Sequence, residues 1–142
     1  VGEPQDISRS AIIERAESWL RPHVPHSPTR FHQNEHGIYR TDAAGYVSMA
    51  WGLPGVPLDR AGGHDVRGLL DVSVDIHADD LLAGDAVISD PDRVVLFHEW
   101  TDDTRTAYWG FEQAARGTCH LRVDWADGDR ARRYLRLRCG TL

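Results

Sequence analysis

A chain of 142 residues with a hydrophobic fraction of 41% and a net charge of −6 has the material for one packed domain. No apolar run approaches the roughly 20 residues of a membrane-spanning helix, and the negative balance argues against a nucleic-acid partner. All 16 basic residues are arginine and none is lysine, a bias expected of a high-GC, actinobacterial-type genome rather than of a binding code. The chain begins at Val1, so removal of an initiator methionine or a longer leader is expected, which leaves secreted and cytoplasmic locations both open.

Residues 8–20 have helical spacing. Ser8 suits the N-cap, Ile12, Ala16, Trp19 and Leu20 form one apolar stripe, and Pro22 stops the helix. Residues 23–39 read as a loop punctuated by Pro25, Pro28 and Gly37. That loop carries His23, His26, His32 and His36, but lacks the tight ligand pairs of a zinc site, so no metal is expected there. Residues 42–51 read as a second helix. The Asp42 carboxylate can accept from free N–H groups of the first turn, Ala43 opens the helix, and Val47, Ala50 and Trp51 give a buried face.

The glycines and prolines of residues 52–57 end that helix, and residues 58–71 read as a polar loop, flexible at Gly62-Gly63. An extended segment at 72–76 precedes a helical turn and a tight turn at 79–85. Strands follow at 86–89, 93–100, 106–113, 118–125 and 134–139. Pro91-Asp92 make a turn, 101–105 a hairpin loop and 126–133 a charged loop. Cys119 and Cys139 lie in strand-like stretches, where a disulfide or two small buried side chains would each fit. The pattern predicts an α+β domain with N-terminal helices packed on an antiparallel sheet of about five strands.

The run Asp42-Ala43-Ala44-Gly45-Tyr46-Val47-Ser48 resembles the nucleophile segment of NlpC-type cell-wall cysteine peptidases, a papain-like family. Their pattern is Asp-Cys-Ser-Gly-aromatic-Val-Ser. Ala43 stands where the cysteine would be, and Ala44 where the serine would be. Other stretches fall in register. Val24-Pro25-His26-Ser27 parallels Val-Pro-Tyr-Ser, and the segment at 79–85 parallels Asp-Leu-x-Pro-Gly-Asp with Ala83 in place of proline. Arg93-Val94-Val95-Leu96-Phe97 parallels His-Val-Val-Leu-Phe. The resemblance implies one papain-like domain over residues 1–142, with Ala43, Arg93 and Glu112 at the positions of the family's cysteine, histidine and third catalytic residue.

Such a site has no thiolate, and arginine cannot act as its general base. His98 lies five residues beyond Arg93, so strict strand alternation turns it away from Ala43. A natural loss of cysteine-peptidase chemistry is expected. The cleft would then hold a small or peptidic ligand, with Asp42, Arg93 and Trp109 binding it and Arg93 gripping a carboxylate. His26 and Glu112 are the candidate acid–base pair for a cyclisation or isomerisation. Two alternatives stand beside this expectation: a non-catalytic module for cell-wall peptides, and a peptidase whose cysteine at 43 has been replaced by alanine. No cofactor is expected.

Overall fold

The computed structural model describes residues 7–89, 93–125 and 132–137. Helix α1 spans Arg9–Glu17, and its N-cap is Ser8, whose hydroxyl accepts from the Ala11 N–H at 3.1 Å. It ends earlier than the apolar stripe suggests. The Ser18 hydroxyl donates to the Arg15 carbonyl at 2.6 Å and its N–H reaches back to Glu14 and Arg15, closing the last turn before Pro22. Ile12, Ala16 and Trp19 are nevertheless fully buried.

The expected loop at 23–39 contains a hairpin, β1 (Phe31–Asn34) and β2 (Gly37–Arg40), paired from Phe31↔Arg40 to Asn34↔Gly37. Gly37 has φ +129°, and the Asn34 side chain accepts from the His36 N–H at 2.9 Å. The strands were hidden because Phe31–Asn34 alternates only between exposed and half-buried positions, so it lacks an apolar rhythm.

Helix α2 (Ala43–Ala50) follows directly, capped by Asp42, which accepts from the Gly45 N–H at 2.7 Å. From Ala44 onward every residue is buried. Tyr46 donates to the Ala16 carbonyl at 2.7 Å, and Trp51 Nε1 to the Gly84 carbonyl at 2.8 Å. Each indole or phenol thus satisfies its polar tip within the core. A Cβ at Gly45 would lie 2.4 Å from the Arg40 carbonyl oxygen, so only glycine permits the chain to enter α2 this tightly.

Residues 58–71 are not wholly loop, because Val66–Asp71 form α3, with Asp65 accepting from the Gly68 N–H at 2.8 Å. Gly68 inside the helix masked that start signal. Then come β3 (Ser73–Ile76), a 3₁₀ turn at Ala78–Asp80, β4 (Ala86–Ser89), β5 (Arg93–Trp100), β6 (Ala107–Ala114), β7 (Gly117–Asp124) and β8 (Arg132–Leu137). The sheet has six strands rather than about five, in the order β3-β8-β4-β5-β6-β7, and every pairing is antiparallel. The sixth is β3, which closes one edge by pairing with the C-terminal β8.

The sheet has an apolar cluster on each face. On one, Val94, Leu96, Phe111, Leu135 and Leu137 pack with α1 and α2. On the other, Val87, Val95, Phe97, Tyr108 and Val123 form a second cluster ringed by Trp100, Trp125 and Tyr134. Alternation along each strand produces this division. Asp85, fully buried, fastens the layers. It accepts from Arg9 NH1 at 3.0 Å, from Arg136 Nε and NH2 at 3.2 and 3.0 Å, and from the Leu82 N–H at 2.9 Å. The Pro91-Asp92 turn, most of the charged loop at 126–133 and Cys139 lie outside the described residues. Cys119 is a half-buried free thiol.

Candidate functional site

The head of α2 borders an open cleft of about 450 Å³, lined by His26, Arg40, Asp42–Ala44 and Asp65–Arg67. Much of its wall is committed to structure. Asp42 uses one carboxylate oxygen as the helix cap and the other to accept from Arg40 Nε at 2.9 Å. Arg40 NH1 donates to the carbonyls of Ala61 and Gly63 at 2.8 and 2.6 Å, and NH2 to that of His64 at 2.8 Å. Arg40 is therefore a buttress that holds the 61–64 loop against the helix start. Ser48 adds a second tie, accepting from the His64 N–H at 2.8 Å.

What remains for a ligand is Ala43, His26 and Arg67. His26 and Arg67 are exposed, Ala43 is half-buried, and Arg67 enters no ion pair among the described residues. His26 is positioned from behind. Val24, two residues before it, offers its carbonyl to the Thr118 N–H and to Gln113 Nε2, both at 3.0 Å. The cleft floor at Ala43 is a methyl group. It offers no nucleophile where a helix terminus would best stabilise an anionic one.

Arg93 and Glu112 sit elsewhere. They form a bidentate pair, Nε to Oε2 and NH2 to Oε1, both at 3.1 Å. Glu112 is buried, whereas the Arg93 side chain is 41% exposed. Strand alternation gives both residues to the face of Val95 and Gly110, where the second apolar cluster lies, while α2 packs on the other. Neither lines the cleft at Ala43. Glu112 instead borders a separate hollow of about 290 Å³ with Cys119, Leu121 and the turn at 114–117. The expected grouping of Arg93 and Glu112 with Ala43, His26 and Asp42 in one cleft is thus not what the fold assembles. The carboxylate that Arg93 grips is that of Glu112.

Trp109, expected to wall the ligand cleft, stacks on the His120 imidazole with centroids 5.3 Å apart and an interplanar angle of 18°. His98 also departs from the simple alternation. A bulge between Phe97 and Glu99 inserts it as an extra residue, and its ring packs on Phe111 at 5.3 Å, the side the helices cover. There it meets His120, with Nδ1 to Nε2 at 3.0 Å. Burial, and then the neighbouring His98, hold the His120 imidazole below its ordinary pKa. Neither histidine stood out in the sequence, because they come from strands separated by β6 and only the bulge turns them together.

Comparison with known protein-family models, with curated proteins and with solved structures returned no match for this chain.

Proposed function

We propose that this chain is a papain-like, NlpC-type domain that has shed thiol chemistry and binds a small or peptidic ligand bearing a carboxylate. The observation that carries the reading is the cleft at the head of α2. Its floor is the Ala43 methyl group, and an exposed arginine, Arg67, and an imidazole, His26, stand at its rim. Four short sequence stretches in register with the family support the fold part of the proposal. The anionic ligand class follows from charge. Asp42 and Asp65 are occupied as helix caps and Arg40 by its own partners, so Arg67 and His26 supply the cleft's available donors.

Binding is favoured over catalysis because His26 and Glu112, the candidate acid–base pair, do not line a common cavity. Cell-wall stem peptides with a free C-terminal carboxylate are the first ligands to titrate, each against its C-terminal amide. The acid should bind and the amide should bind about tenfold more weakly, with Arg67→Ala weakening the acid to a similar degree, about 1.4 kcal/mol. Equal binding of acid and amide, or no binding of either, would overturn the proposal. The reading of a peptidase disabled by a Cys-to-Ala change makes the opposite demand on Ala43→Cys, which would then have to cleave such peptides.

A further inference from the structure

We propose that His98 and His120 form a binding site for one divalent transition-metal ion of the Cu²⁺, Ni²⁺ or Zn²⁺ class. His98 Nδ1 and His120 Nε2 already face each other at 3.0 Å. Two metal–nitrogen bonds of about 2.0–2.1 Å at a tetrahedral angle separate their nitrogens by roughly 3.3 Å. The rings therefore need to part by only a few tenths of an ångström to admit an ion. The hydrogen now lying between the two nitrogens moves to the outer nitrogen of its own ring. The neutral pair then presents two lone pairs and loses no proton overall.

The surroundings hold the rings in place rather than leaving them to solvent. Trp109 stacks on His120, and Phe111 lies beneath both imidazoles, 4.6 Å from His120 and 5.3 Å from His98. Pre-fixed ligands lose little freedom when a metal arrives. Glu17 and Glu99 lie close enough to His120 to favour positive charge there, and a dication gains from the same field. Among the described residues no third histidine, cysteine or carboxylate completes a cluster. Two imidazoles therefore hold the ion, and water or an added ligand takes its remaining positions. This is the donor set that copper and nickel accept more readily than calcium or magnesium.

Calorimetric titration of the intact chain with Cu²⁺ and Ni²⁺ is the first test. One ion per chain should bind, and His98→Asn and His120→Asn should each weaken it on the order of tenfold or more, since one imidazole of two is lost. His26→Asn and His77→Asn, which remove exposed or half-buried histidines far from the pair in sequence, should leave the affinity unchanged. The wild-type chain supplies a second readout that needs no variant. On addition of Zn²⁺, the ¹⁵N resonances of His98 Nδ1 and His120 Nε2 should shift ahead of those of the other histidines. Equal affinities for wild type and the double variant, or ring-nitrogen shifts at other histidines only, would overturn the proposal.

Discussion

Two buried carboxylates, Asp85 and Glu112, are both held by arginine, yet they do different work. Asp85 joins α1, β8 and the turn before β4, elements far apart in sequence, through Arg9, Arg136 and the Leu82 N–H. Glu112 joins β6 to β5, strands already bonded to each other along the ladder. The first carboxylate supplies contacts that nothing else supplies, while the second adds to contacts that exist. Burial alone therefore does not rank the two. What matters is whether the elements they connect have another means of holding together.

That contrast can be broken by substitution. Asp85→Ala strands two arginines and one N–H and should cost about 3 kcal/mol, the scale of losing one partner of a buried ion pair. Denaturant unfolding followed by circular dichroism would measure it. Glu112→Gln keeps the shape and one acceptor and should cost about 1 kcal/mol in the same assay. Were the order reversed, connectivity would not be the deciding variable. Asp42→Ala removes the α2 cap and should cost about 1 kcal/mol, and Asp42→Asn or Asp42→Ser should recover most of it.

The smallest effect is expected from pH. Burial, the first cause in each case, lowers the pKa of His32 and, together with His98, that of His120. A histidine with a depressed folded pKa binds fewer protons when folded than when unfolded. Stability should therefore be undiminished above the unfolded value of about 6.5 and decline as pH falls through it toward the folded value. His120→Asn should flatten part of that decline in unfolding midpoints measured between pH 7 and pH 5.

Much of the sheet was legible because its strands carry their own signals. Arg93–Trp100 has an apolar run bounded by polar ends, and Asp42 announces α2 by its chemistry as a cap. The β1–β2 hairpin was not legible, because its side chains are half-exposed on both faces and its stability comes from the hydrogen bonds of the ladder. Around the site, Ala43 and Asp42 were placed correctly on the cleft by local pattern. Arg93 and Trp109 were misplaced for a reason beyond local pattern. Which face a strand residue occupies depends on register with partners, and one inserted residue at His98 reverses the count.

The bond between the Val24 carbonyl and the β6–β7 hairpin carries one further consequence. Because Thr118 and Gln113 clasp the chain two residues before His26, the rim of the cleft moves with a turn more than 85 positions away in sequence. A lengthened turn at 114–117 would travel along that clasp and re-aim the imidazole without touching the cleft itself. The hairpin thus acts as a setscrew for the rim, and relatives of this chain with different turns there would present their ligand a different mouth on the same floor.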